Sequence, residues 1–149
     1  MKKIITTICA IAFCICAGAQ EGLYVEDLFE GRVISPKIMK ETFIRGAQLK
    51  PYKLDTYKSL TFTVGEGPMH EVEVLVQRDA YDALDAQTEY AGGHLTYAVI
   101  CLPQLPNGDN RFLCYQAQEI KGQWDVTVVY LRGKATVEDL NMMFNKKEK

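Results

Sequence analysis

The stretch Cys101–Cys114, CLPQLPNGDNRFLC, decides how the chain folds, because it joins two apolar, alternating runs through Asn107-Gly108. Asn-Gly is the pair best suited to a two-residue hairpin turn, in which both residues take positive φ. A turn centred there sets Cys101 opposite Cys114 as a non-hydrogen-bonded pair, with Cα atoms about 4.5–5.5 Å apart. A disulfide tolerates that span. The same register pairs Ala98, Ile100 and Leu102 with Ala117, Tyr115 and Leu113, so one face of the hairpin is apolar throughout. A second two-residue turn near Lys121-Gly122 sets Val126, Val128 and Tyr130 against Ala117, Tyr115 and Leu113. Agreement across three strands is informative, since a one-residue slip would turn every side chain to the other face. Pro103 and Pro106 lack the N–H groups of a central strand and place the end of the first of these strands near a sheet edge.

Outward from this core the signals are helix caps and alternation. SPKIMKETFIRG, residues 35–46, predicts a helix with Ser35 as N-cap, Pro36 at the first helical position and Ile38, Met39, Thr42 and Phe43 inside. YVEDLFEG before it carries a weak helical-turn signal. Residues 59–64 and 70–77 alternate around Gly65-Glu66-Gly67-Pro68 and read as a two-strand hairpin, with Val72, Val74 and Val76 inward. DAYDALDAQTEYAGG reverts to helical spacing and ends at Gly92-Gly93. A last helix is expected after Thr136, whose hydroxyl and the Asp139 carboxylate form a shortened capping box, with Val137, Leu140 and Phe144 as its buried stripe. The order α-β-β-α-β-β-β-α, with hairpins instead of crossovers, predicts an α+β fold: two layers, a mainly antiparallel sheet of about five strands, and helices packed on one face.

The first residues bear on location. Lys2 and Lys3 precede an apolar run, and Ala17-Gly18-Ala19 supplies the small residues of an export cleavage site. The expectation is a cleaved signal over 1–19 and a single domain over 20–149, in the periplasm or, alternatively, outside the cell. None of Cys9, Cys14 and Cys16 has the small preceding residue of a lipid-anchoring site. The apolar run falls short of the about twenty residues a membrane span needs. The chain carries net charge −2. Without a basic stripe it is not expected to bind nucleic acid, whose recognition depends on phosphate neutralisation.

The start ending in AGAQ, the segment SPKIMKETFIRG, and above all the ending VVYLRGKATVEDLNMMF resemble the small exported domains of unknown function common in Bacteroides-type bacteria. In that ending an apolar strand passes through Gly133 into a Thr-capped helix. The resemblance implies an exported α+β domain; it brings no activity and no site residues.

Candidate chemistry therefore rests on the residues themselves. A zinc site built from Cys101, Cys114, His70 and His94 lacks the close ligand pairs of a structural site, and residues 94 and 101 differ in strand parity. Asp79, Asp82 and Asp85 spread around a helix, where a calcium loop needs alternating ligands and a glycine bend. GEGPMH lacks the third glycine of a phosphate loop. No cofactor, metal or catalytic set is expected. For Cys101 and Cys114 three readings stand: a cross-strand disulfide, which an oxidising compartment favours, two reduced thiols, or a redox pair. On the same face, Val99, Cys101, Phe112, Cys114, Val129 and Leu131 gather toward the Asn107-Gly108 end, while Gln116, Gln118, Asp125 and Thr127 occupy the other end. That half-apolar face is either covered by the terminal helix or a contact surface, with Val99, Phe112, Val129 and Leu131 as its partner-facing residues. The functional expectation is a non-catalytic module that binds an envelope protein; the alternative is a carrier of a lipid, peptide or glycan.

Overall fold

The computed structural model describes residues 22–147, with side chains to residue 143. The signal expected at 1–19 and the side chain of Phe144 lie outside the described residues. The fold is α+β, with six strands in one antiparallel sheet where about five were expected. In chain order the elements are α1 (Glu26–Phe29), a 3-10 turn (Pro36–Ile38), β1 (Lys40–Arg45), a second 3-10 segment (Ala47–Tyr52), β2 (Leu54–Val64), α2 (Glu66–Tyr81), β3 (Asp85–Ala91), β4 (His94–Leu102), β5 (Asn110–Ile120), β6 (Gln123–Gly133) and α3 (Val137–Lys147). The spatial order is β1-β2-β6-β5-β4-β3, so α2 carries the chain across the sheet from β2 to its far edge. Among the described residues no helix is long and apolar enough to cross a membrane.

Two turns fix the central register, one as expected and one not. Lys121 and Gly122 have φ of 54° and 82°, as a two-residue turn with both centres left-handed requires. Ala117, Tyr115 and Leu113 accordingly face Val126, Val128 and Tyr130. The other hairpin differs. Pro106 cannot take positive φ, and among residues 105–109 only Gly108, at φ 88°, does so. The Gly108 N–H bonds the Leu105 carbonyl and the Leu105 N–H bonds the Asp109 carbonyl, closing a three-residue loop over Pro106-Asn107-Gly108. The register shifts by two: Ile100 faces Leu113, Cys101 faces Phe112, and Val99 faces Cys114. A shift of two preserves faces, so Ile100 and Tyr115 still share the core side. It moves Cys101 and Cys114 to diagonal positions, about 7–8 Å apart for such neighbours, and both thiols are free. The expected cross-strand pairing of these cysteines is thus corrected.

Three outer segments also depart from expectation. Ser35 does cap a helical start, accepting from the Lys37 N–H at 3.3 Å, but only one 3-10 turn follows. Residues 40–45 instead form the edge strand β1, where Lys40, Glu41 and Arg45 keep a charged, solvated rim. Residues 70–77 belong to α2, not to a strand. Its inward face is Met69, Val72, Glu73, Val76 and Asp79, a helical period in which two positions are carboxylates. Residues 85–91 are the far-edge strand β3, almost wholly exposed, and Gly92-Gly93, with φ 59° and 83°, is a hairpin turn instead of a helix end.

The main core lies between α1, α2 and one sheet face. Leu28, Met69, Val72 and Val76 pack on Leu60, Ile100, Leu113, Tyr115, Val128 and Tyr130. The Asp79 carboxylate, 3% exposed, accepts from the backbone N–H groups of Tyr24 at 2.9 Å and Val25 at 3.0 Å, which ties the start of α1 to α2. Burial nonetheless holds its pKa above the ordinary value. A second, smaller cluster lies on the opposite face, where α3 packs, so the helices are not confined to one side.

Candidate functional site

Side chains on that opposite face run in three rows across β2, β6, β5 and β4. The first is Tyr57, Leu131, Phe112 and Cys101; the second Ser59, Val129, Cys114 and Val99; the third Thr61, Thr127, Gln116 and Tyr97. Polarity therefore rises in steps from the end near the 106–108 loop to the other end, as the alternation of β5 and β6 predicted.

The terminal helix packs chiefly on the first row, with Cys114 and Val129 of the second at the margin of the same cluster. The Thr136 hydroxyl accepts from the Asp139 N–H at 3.2 Å, and the Asp139 carboxylate accepts from the Thr136 N–H at 2.8 Å, the reciprocal cap expected from sequence. The Thr136 N–H is the main reason that the Asp139 pKa sits below its usual value. Lys53 reaches the same carboxylate at 3.3 Å and links α3 to the 3-10 corner before β2. Gly133 makes the approach possible: a Cβ there would sit 2.6 Å from the Leu54 Cα and 2.7 Å from the Lys53 carbonyl. Beyond this crossing the Ala135 N–H bonds the Lys53 carbonyl, and Leu140, fully buried, packs with Leu49, Leu54, Phe112 and Leu131.

Phe112 and Leu131 are consequently 1% and 5% exposed and are not a contact surface. Val99 and Val129, with Cys114 between them, instead form the floor of a groove of about 870 Å³. Leu49, Pro51, Tyr52, Leu140, Met142 and Met143 line its walls, and Gln116 and Thr127 its polar part. The volume falls within the range of small-molecule pockets, about 300–1,000 Å³, and such sites combine apolar walls with a few polar groups.

The groove's own sulfur is chemically quiet. Burial pushes the Cys114 thiol up to about 12, and burial with the Asp85 charge raises that of Cys101. Redox-active and nucleophilic cysteines need the opposite displacement. His70 and His94 do not join the cysteines: both hydrogen-bond Glu73 of α2, and His94 packs edge-on against Trp124 of the main core. What the sequence reading missed is the groove's walls. The Leu49-Lys50-Pro51-Tyr52 segment carries no periodic signal, and the close approach at Gly133 lets it pack against α3 through Leu49 and Leu140.

No curated protein and no solved structure matches the chain. A family model does match, over residues 12–144, which takes in α1, the sheet, the groove floor and most of α3, and the chain belongs to that family, the family of unknown function DUF6108.

Proposed function

We propose that this chain is an exported binding protein, without catalytic chemistry of its own, that takes the apolar part of a small amphipathic ligand such as a fatty-acyl lipid into the groove. The observation that carries this reading is the graded floor under α3. An acyl chain lies over Val99, Cys114 and Val129, and a polar head meets Gln116 and Thr127. The protonated thiol leaves the floor neutral and unreactive. Lys2, Lys3 and the apolar run after them support export to the periplasm.

Tyr52 and Met142, at 51% and 61% exposure on the groove rim, favour a second reading, in which an apolar segment of an envelope protein docks in the same place. Native mass spectrometry of the protein purified from its own host tests the first: a retained mass of lipid size supports it. A bare chain that also fails to take up added fatty acid contradicts it.

A further inference from the structure

We propose that His70, Glu73 and His94 form a binding site for a divalent transition-metal ion of the zinc class, on the α2 side of the sheet and separate from the groove. His70 and Glu73 stand one helical turn apart on α2, and the tight Gly92-Gly93 turn delivers His94, the first residue of β4, to the same point. His70 Nδ1 lies 2.9 Å and His94 Nδ1 3.4 Å from the same Glu73 oxygen, Oε1. One donor atom from each residue lies within 4.8 Å of the others. Zinc holds such ligands at about 2.0–2.2 Å, so side-chain rotation alone converts the cluster into a coordination shell.

The surrounding contacts already have the form of a metal site's outer partners. The second oxygen of Glu73 accepts from the Leu95 backbone N–H, which fixes the carboxylate and leaves Oε1 facing the rings. His94 Nε2 lies 3.0 Å from Glu66 Oε1. An Nε2–H donated to Glu66 leaves the Nδ1 lone pair directed toward Glu73, and a cation between them takes that lone pair. A carboxylate that orients a ligating histidine through its far nitrogen is the recurrent companion of bound zinc.

Charge gives the reason. Glu73 is 2% exposed, and a buried carboxylate requires compensation. Its hydrogen bonds come from two imidazoles and one backbone N–H, and a dication held at the same oxygen adds a full counter-charge. The His70 and His94 side chains remain 62% and 22% exposed, which leaves an entry path and an open fourth position. The donor set, two histidines and one carboxylate, suits zinc, cobalt and nickel.

Trp124 gives a direct readout, being the only tryptophan, with its ring centroid 5.2 Å from that of His94. The full chain, stripped with chelator, is titrated with ZnCl2 by calorimetry and with CoCl2 by Trp124 fluorescence. The expected result is one ion per chain with a Kd of about 10 µM or tighter and quenching by cobalt. His70→Ala weakens binding at least about tenfold, with thermal unfolding of the metal-free variant measured alongside to show that it is folded, and Glu66→Gln, whose side chain is exposed, weakens it by about the same factor through the outer contact. Absence of saturable binding below about 100 µM metal overturns the proposal. So does binding that is unaltered in His70→Ala, and in either case the cluster is a hydrogen-bond network only.

Discussion

Asp109→Asn tests how the loop that set the register is held. Asp109 Oδ1 accepts from Lys134 Nζ at 2.8 Å, and Oδ2 accepts from Arg132 Nε at 3.1 Å and Asn107 Nδ2 at 3.1 Å. The carboxylate thereby clamps the 106–108 loop to the end of β6, and Lys134 above all pulls its pKa from 3.8 down to about 2. That displacement corresponds to about 2 kcal/mol in favour of the ionised folded state. Asp109 is 6% exposed but Lys134 is 66% exposed, so solvent screening brings the expected loss to about 1–2 kcal/mol. The folded pKa is depressed, so the stabilisation is full above the unfolded value near 4 and is lost as pH falls through about 2. About half of it is gone by pH 3. Urea unfolding of both proteins at pH 7, 5 and 3 gives the comparison. The variant should be less stable at pH 7 and 5 by the same amount, with the gap narrowing at pH 3. A gap below about 0.5 kcal/mol at pH 7, within the range of an ordinary surface change, refutes the reasoning. A gap of equal size at all three pH values does so as well.

Phe112→Asp should destabilise the fold by more than about 4 kcal/mol, because it buries a charge where a side chain 1% exposed now packs under α3; loss of cooperative thermal unfolding is the readout, and a variant that melts like the parent removes α3 from this face. Gly133→Ala should cost at least about 2 kcal/mol in urea unfolding, since the new methyl meets backbone at 2.6 Å; a neutral result would mean that the β2–β6 crossing is looser than described. Alkylation at pH 8 without reductant should label Cys101 and Cys114 in full once the protein is denatured, and Cys114 far more slowly when it is native, its thiol lying near 12; two blocked sulfurs in the denatured chain would restore the disulfide.

The parts of the fold legible in the sequence are those where local chemistry and tertiary demand coincide. Lys121-Gly122 needed only two left-handed residues, and the β5–β6 register followed. At Asn107-Gly108 the preceding proline enlarges the loop, yet the shift is even, so the residues expected to share each face do share it. The α2 segment was misread because Val72, Val74 and Val76 mimic a strand while two true inward positions are Glu73 and Asp79. Their burial becomes intelligible only with partners more than twenty residues away, Leu95 for the first and Tyr24 with Val25 for the second. The edge strands β1 and β3 bury almost nothing, so they carry little pattern to read. The groove's walls come from a 3-10 corner and a capped helix brought together by one glycine, which is a tertiary arrangement without a sequence period. The same holds for the histidines: His70 and His94 meet only because α2 spans the sheet.

The claim that the groove accepts an acyl chain is tested most directly by titrating a fluorescent long-chain fatty acid into the protein and into Val129→Trp, a variant that fills the floor between β5 and β2. Saturable binding of one molecule per chain is expected, with a Kd of about 10 µM or lower, weakened at least about tenfold in the variant while its thermal unfolding is unchanged. Non-saturable uptake, or equal affinity in both proteins, would contradict it.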